Sequence, residues 1–347
     1  MEETRESVIM DETGQREGLK KDRKHFSKIG WMYVVGTIVI YIVQLVPMAL
    51  VQFLQPKWAE DPNAALLVSM LPMYLIGMPV LILLLKRIPA EVPERHKMKQ
   101  GQFVVSAIMC FAIVYLSNIV GTILTTIIGV FKGSEVQNQI LNVTADLNLW
   151  TIFFIMVICA PCIEEFVFRK LLVDRTVRYG QGVAIVISGL MFGLFHGNLN
   201  QFMYAFVLGM FLAYLYVKTG NLKITIALHM LVNFFGGVVS SLLLKLINLD
   251  EYYDVVSQGM DMDVMMNYFM EHLAGWVVYL IYVVFVLGVT ITGTVLLIVN
   301  LVKKKFFLSR GEIVIPKGKR FSTVILNAGM IVYCIIWIAT IIAQLFV

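Results

Sequence analysis

Stretches of about 20 apolar residues recur along the whole chain, and they constrain its fold more than any other feature. A membrane-crossing α-helix needs about that length, because a bilayer core roughly 30 Å thick offers no water to satisfy an open backbone. The composition agrees, since 59% of the residues are hydrophobic and 15% are charged. The sequence therefore predicts an all-α, polytopic membrane bundle of about 8–9 transmembrane helices. The nine candidate spans are 30–54, 64–85, 102–131, 149–168, 183–197, 201–217, 222–247, 274–302 and 322–346.

The positions of lysine and arginine predict how these spans are oriented. If the spans alternate from a cytoplasmic N-terminus, the five cytoplasmic segments hold 25 of the 28 basic residues, as the positive-inside rule requires. These basic segments are 1–29, 86–101, 169–182, 218–223 and 303–320. We therefore predict a multi-pass protein of a bacterial plasma membrane with a cytoplasmic N-terminus. The net charge of +5 follows from this topology and gives no reason to predict a nucleic-acid partner.

The spans and the segments between them divide the chain into five parts. The parts are a disordered cytoplasmic tail (1–29), N-terminal transmembrane helices (30–148), a catalytic transmembrane core (149–247), an acidic extracytoplasmic loop (248–273) and C-terminal transmembrane helices (274–347). The core takes its description from the polar residues considered next. In the last part, three consecutive lysines at 303–305 could also bind anionic lipid headgroups.

Two adjacent carboxylates, Glu164 and Glu165, lie at the end of the fourth apolar run. A charge at the centre of a span costs roughly 2.5–3.5 kcal/mol on insertion scales, so paired acids there indicate a function. Arg169 lies four residues after Glu165 on the same helical face, which predicts an ion pair. Glu164 projects about 100° away and has no partner nearby in sequence, while Pro161 can kink the helix. The alternative is that the acids only mark the membrane surface, next to Arg169 and Lys170.

Two later spans each carry a histidine. Phe192 and His196 are four residues apart in the fifth span, and His229 and Asn233 are four apart in the seventh, so each pair shares a helical face. Ionisable residues inside a membrane are candidates for a functional site, and helix packing is the alternative for each. Glycines recur every four residues on the adjoining face of the fifth span, where a second helix is expected to approach closely: Gly189, Gly193 and Gly197.

The three groups together resemble the CPBP family, the CAAX proteases and bacteriocin-processing enzymes also called Abi. That family is recognised by E-E-x-x-x-R, F-x-x-x-H and H-x-x-x-N or a close variant, and this sequence has EEFVFR at 164–169, FGLFH at 192–196 and HMLVN at 229–233. The resemblance covers about residues 149–247. It implies an intramembrane endopeptidase that hydrolyses a peptide bond in a membrane-associated or lipidated peptide or protein. The predicted catalytic set is Glu164, Glu165, Arg169, His196, His229 and Asn233, and Phe192 is assigned to substrate binding.

The resemblance makes Glu164 the key catalytic carboxylate, and two mechanisms stay open. Glu164 can activate water as a general base while histidine and Asn233 donate hydrogen bonds to the oxyanion. Alternatively, Glu164, His196 and His229 could be three ligands of a Zn²⁺ ion, with water as the fourth. We favour the mechanism that requires no cofactor, because Asn233 shares a face with His229 and the sequence has no H-E-x-x-H motif.

Two other classes of function also fit intramembrane polar residues. A non-catalytic bacteriocin-immunity or membrane binding protein could retain the motif, and the same residues could line a transport path. Against transport, no pair of interrupted spans repeats, and the polar residues lie in one block, 164–233. Nothing in the sequence favours a prenylated substrate over another apolar peptide tail.

Overall fold

The structure, a computed structural model, describes residues 2–137, 144, 146–257, 259 and 261–346. These residues form helices and no strand, which confirms the predicted all-α class. The helices are α1 (Glu2–Leu54), α2 (Pro56–Glu60), α3 (Pro62–Lys86), α4 (Gln100–Lys132), α5 (Leu149–Tyr179), α6 (Gln181–Phe195), α7 (Leu199–Thr219), α8 (Leu222–Leu246), α9 (Leu249–Ser257), α10 (Met262–Glu271), α11 (Leu273–Val302), α12 (Lys317–Val324) and α13 (Ala328–Gln344).

Most of the predicted spans correspond to one long apolar helix each. Within the described residues, seven helices are long and apolar enough to cross a membrane, or up to eight if α12 and α13, which bend by 66° at their junction, form one span. The predicted fifth span is α6, which has only 15 residues. The polytopic bundle is therefore confirmed, and α6 is too short to count as a full crossing.

The five basic segments come together at one end of the bundle, which we call the basic end, although Arg169 itself is buried further inside. Four contacts between backbone or side-chain groups join them: His25 Nε2 to Arg175 O at 2.8 Å, Glu91 N to Asp174 O at 2.6 Å, His96 N to Thr219 O at 2.9 Å and Ile313 N to Arg178 O at 3.0 Å. At the opposite end, Lys132 donates to the Leu345 carbonyl at 2.7 Å and Lys245 to the Leu147 carbonyl at 2.8 Å. The helices therefore alternate between two ends in the order that the basic residues predict.

The predicted disordered tail is wrong over residues 14–29, which belong to α1. Phe26 and Ile29 are fully buried, and the Phe26 ring packs 4.8 Å from the Tyr179 ring. Arg23 also donates to the Leu326 carbonyl at 2.5 Å. Buried apolar residues and a hydrogen bond therefore hold this polar first part of α1 against the bundle.

Two further boundaries differ from the prediction. Helix α5 extends beyond residue 168 to Tyr179, because Arg169 is neutralised inside the bundle and does not mark the membrane surface. Much of the predicted loop 248–273 is helical, as α9 and α10, while residues 258 and 260 lie outside the described residues. Tyr268 anchors α10, since its side chain is buried and its hydroxyl donates to the Ile247 carbonyl.

Helices α6 and α7 form a closely packed hairpin whose tip lies inside the bundle. A β-carbon on Gly193 would lie 2.9 Å from the Phe206 side chain, so only glycine permits this approach. Gly197 does not join the packing face; with φ +61° it reverses the chain at the tip, a conformation that favours glycine. Just beyond the tip, Asn200 accepts a hydrogen bond from Thr125 of α4 at 3.1 Å. The hairpin thus places the end of α6, and His196 after it, deep among the helices.

This arrangement predicts the result of a topology experiment. Reporters fused after Ser257 and after the last residue should both read as extracytoplasmic, because the basic end is predicted to face the cytoplasm. A fusion after Ser309, at the basic end, should read as cytoplasmic and serves as the control. A cytoplasmic signal from either of the first two fusions would contradict the predicted orientation.

Candidate active site

Helix α5 departs from regular α-helical geometry on both sides of the acid pair. Two π-helical stretches, Ile152–Cys159 and Phe166–Val173, flank the α-helical turn that carries the two glutamates. Such wide turns are rare and frequent at functional sites. After the acids, the Val167 carbonyl accepts from the Tyr33 hydroxyl at 3.2 Å, and the Phe168 carbonyl accepts from Ser188 at 2.9 Å. Sequence reasoning does not single out either hydroxyl, yet they tie α1 and α6 to the site.

The proline that precedes the acids determines where Asn233 binds. In the π-helical register the Ala160 N–H donates to Ile155 O, five residues back, so residue 161 would donate to Met156 O. Pro161 has no N–H, which leaves that carbonyl free. The Asn233 side chain of α8 donates to Met156 O through Nδ2 at 2.8 Å. The proline therefore creates an acceptor that fixes α8 against α5.

The predicted ion pair between Glu165 and Arg169 is present and fully buried. Arg169 Nε lies 3.1 Å from Glu165 Oε2, and both side chains are 0% exposed. The terminal guanidinium nitrogens have no hydrogen-bond partner among the described residues. The guanidinium instead faces the Phe192 ring of α6, with Cζ 4.3 Å from the ring centroid. Glu165 and the aromatic ring together accommodate the arginine charge inside the bundle.

His229 lies between the two acids. Its Nδ1 is 3.0 Å from Glu165 Oε1, and its Nε2 is 3.8 Å from Glu164 Oε2. Because a carboxylate only accepts hydrogen bonds, Nδ1 carries a proton and donates it to Glu165, and Nε2 faces Glu164. Glu164 remains 17% exposed, whereas Glu165 is 0% exposed. The two adjacent acids therefore occupy different environments, as the helical geometry predicts.

His196 and Phe192 complete the cluster from α6. His196 Nδ1 lies 2.8 Å from the Phe192 carbonyl oxygen and donates a hydrogen bond to it. The second ring nitrogen of His196, Nε2, is left to interact with other groups. The Phe192 ring packs edge-on against the imidazoles of His196 and His229, with centroids 4.8 Å and 5.7 Å apart. Phe192 is 1% exposed. The contact with substrate that the sequence predicts would require a rearrangement that exposes this ring.

The three candidate zinc ligands are not grouped as a metal site. Among the residues that the structure describes, no three His, Cys, Asp or Glu side chains are close enough together to hold a metal ion. Glu164 Oε2 lies 3.8 Å from His229 Nε2, and the Phe192 ring packs against the imidazoles of both His196 and His229. In this geometry Glu164, His196 and His229 do not form a group of three ligands, and the zinc alternative stays a prediction.

The depth of the cluster defines the class of protein. Glu164 lies 15 residues from either end of α5, which is about 22 Å of helix on each side. Glu164, His229 and Asn233 thus lie near the middle of α5 and α8, and His196 follows the end of α6. Charged and polar groups are costly there and indicate a functional site, and a carboxylate with imidazoles is able to carry out general acid–base chemistry.

Comparisons with known proteins agree with this class. Residues 146–235 match the family model of the type II CAAX prenyl endopeptidase Rce1-like proteins. The chain is 27% identical over 213 residues to the membrane-embedded CAAX protease MroQ of Staphylococcus aureus (strain USA300), covering 57% of this chain and 85% of that protein. It is 30% identical over 162 residues to the putative membrane peptidase YdiL of Bacillus subtilis (strain 168), covering 45% of this chain and 64% of that protein. No solved structure matches the chain.

The resemblance carried by the three sequence motifs is confirmed by these matches. Residues 146–235 thus resemble the CPBP family, and the matches support a CAAX-type membrane protease. The family match covers α5, α6, α7 and the part of α8 that carries His229 and Asn233. All the motif residues thus lie within the matched region.

The buried ion pair predicts that substitutions of the two glutamates have different effects on the stability of the protein. Glu165→Gln leaves the Arg169 charge uncompensated, so we expect it to lower the free energy of unfolding by about 3–5 kcal/mol. Thermal unfolding of the detergent-solubilised protein measures this as a lower Tm. Glu164→Gln is the matched control and should unfold near the wild-type temperature, because that carboxylate has no buried cation to compensate.

A double variant tests the cause of the loss. Glu165→Gln combined with Arg169→Met removes both charges and should recover part of the stability that Glu165→Gln loses. A Glu165→Gln protein as stable as the wild type would refute the structural role of the pair.

Proposed function

We propose that the chain is an intramembrane endopeptidase of a bacterial plasma membrane, and that Glu164 activates the water that cleaves the peptide bond. The observation that carries this proposal is the contrast between the two acids. Glu165 is fully buried and held by Arg169 and His229, whereas Glu164 is partly exposed and 3.8 Å from His229 Nε2. A general base must reach water and must be free to accept a proton, and of the pair only Glu164 meets both conditions.

The proposed reaction needs one proton carrier. Glu164 takes a proton from water while the water oxygen forms a bond to the scissile carbonyl carbon, and the carbonyl π electrons move to its oxygen. When this tetrahedral intermediate collapses, the C–N bond breaks and the proton held by Glu164 passes to the leaving amine. The carboxylate is then restored, and general acid–base catalysis of this kind contributes typically 10²–10⁴-fold in rate.

We propose Asn233 and His229 as donors to the oxyanion. One N–H of Asn233 is bonded to Met156 O, which orients the amide and leaves its second N–H to donate. His229 Nδ1–H is bonded to Glu165, so its Nε2 can donate only when the ring carries both protons. A preorganised donor of this type contributes typically 10²–10³-fold in kcat. Glu165 and Arg169 act through His229 and the packing of α5, so they are positioning residues.

The proposed substrate is a membrane-associated or lipidated peptide or protein. Support comes from the depth of the site, about 22 Å of helix from either end of α5, which a water-soluble peptide would have to leave water to reach. The family and one relative are named for CAAX substrates, which supports a lipid-bearing substrate as the first one to assay.

The role of Glu164 can be tested with a quenched fluorescent peptide anchored in proteoliposomes. Glu164→Gln should lower kcat by at least about 10²-fold, because the amide cannot accept the proton from water. The amount of folded protein should stay near the wild-type level, which separates this variant from Glu165→Gln. Wild-type turnover by folded Glu164→Gln protein would remove Glu164 from the mechanism.

We further propose that turnover requires no metal ion. The geometry supports this, since no group of three candidate ligands is found among the residues described. We expect elemental analysis of active protein to find zinc well below one ion per chain, and activity to survive chelation. His196→Ala and His229→Ala should lower activity without changing metal content. Near-stoichiometric zinc that is removed and restored together with activity would overturn the proposal.

A further inference from the structure

A groove of about 550 Å³ opens at the basic end of the bundle, between the start of α6 and residues 308–325. We call it the basal groove. Its lining is mainly apolar, and four of its large apolar side chains remain open to the surroundings: Val186 is 49%, Leu308 40%, Val314 63% and Phe321 64% exposed. His196 lies 15 residues beyond the start of α6, about 22 Å away along the helix. The basal groove is therefore separate from the candidate active site.

The walls of the basal groove are held by hydrogen bonds. Gln181 N donates to Ser309 O at 3.2 Å, and Ser309 N donates back to the Gln181 side-chain oxygen at 3.1 Å. Lys218 donates to the same oxygen at 2.8 Å, and Ile313 N donates to Arg178 O at 3.0 Å. These bonds fix the 308–313 segment against the end of α5 and the start of α6, and they join α6 to α7, so the groove is a built feature of the fold.

The rim of the basal groove is positively charged. Arg310 and Arg320 both line it, and within the described part of the chain neither forms an ion pair. Arg320 Nε donates to the Ile315 carbonyl at 3.3 Å, which orients that guanidinium and leaves its terminal nitrogens to bind another group. Segment 303–320 contains seven basic residues and one acid, Glu312. The groove thus combines an apolar wall with two cations that lack an anion.

We propose that the basal groove binds one anionic phospholipid. The headgroup phosphate contacts Arg310 and Arg320, and an acyl chain lies along the apolar wall that includes Val186 and Phe321. A groove of about 550 Å³ is within the usual size range of small-molecule sites. Basic pockets between transmembrane helices on the cytoplasmic side are where anionic headgroups bind. Free phosphate would use the arginines without the wall, and a neutral lipid would use the wall without the arginines.

Native mass spectrometry of the delipidated full chain in neutral detergent tests this site one lipid at a time. We expect dioleoyl-phosphatidylglycerol to bind more tightly than dioleoyl-phosphatidylcholine, which has the same chains and no net charge. Arg310→Gln with Arg320→Gln should weaken phosphatidylglycerol binding about 30-fold, which corresponds to about 2 kcal/mol for two basic residues. Val186→Trp, which fills the groove from its exposed side, should weaken the binding of both lipids.

Two controls separate this site from general attraction to charge. Lys303→Gln with Lys305→Gln makes the same change in charge outside the groove and should leave binding unchanged, and millimolar inorganic phosphate should not displace the lipid. An equal loss in the lysine pair, or equal affinity for the two lipids, would mean that the arginines do not recognise the headgroup. Unchanged binding in Val186→Trp would mean that the groove is not used, and displacement by phosphate would identify a free-anion site. Each of these results would overturn the proposal.

Discussion

The need to neutralise Arg169 away from water governs the arrangement of the polar site. One oxygen of Glu165 faces the guanidinium, the Phe192 ring covers its flat face, and the other Glu165 oxygen accepts from His229. A charge left unpaired in this environment costs several kcal/mol, and no single helix supplies all of these partners. Helices α5, α6 and α8 must therefore pack together before the site is stable. The residues that stabilise the arginine are also those that position His229.

The division between Glu164 and Glu165 shows how one helix gives adjacent acids two environments. Neighbouring residues on a helix point about 100° apart, so when Glu165 faces the interior Glu164 cannot. His229 joins them, with one nitrogen on each acid. A rearrangement at the buried pair would therefore reach Glu164 through a single imidazole. This physical link connects the stability of the fold with the proposed chemistry.

Much of this architecture follows from the sequence, and the exceptions have identifiable causes. Hydropathy determines where the spans lie, and the four-residue spacing determines that Glu165 meets Arg169, because both are local properties of a helix. The hydrogen bond from Asn233 to the Met156 carbonyl depends on the π-helical register of α5, which no pattern in the sequence predicts. The ordering of residues 14–29 depends on the burial of Phe26 and Ile29 and on the packing of Phe26 against Tyr179, which only the assembled bundle provides. Local rules therefore predict the members of the site, and packing determines how they meet.

The α6–α7 hairpin has a consequence for how the chain enters the membrane. Its two ends touch, since Lys218 near the end of α7 donates to Gln181 at the start of α6. The hairpin thus leaves from and returns to the same end of the bundle. It therefore does not change the direction in which any later helix crosses the bundle. The chain reversal at Gly197, with His196 beside it, can be delivered by an insertion that translocates no charged loop, because 197–200 contains no charged residue. The tip of the hairpin thus differs from the basic segments on either side of it, 169–182 and 218–223, which carry the orienting charges.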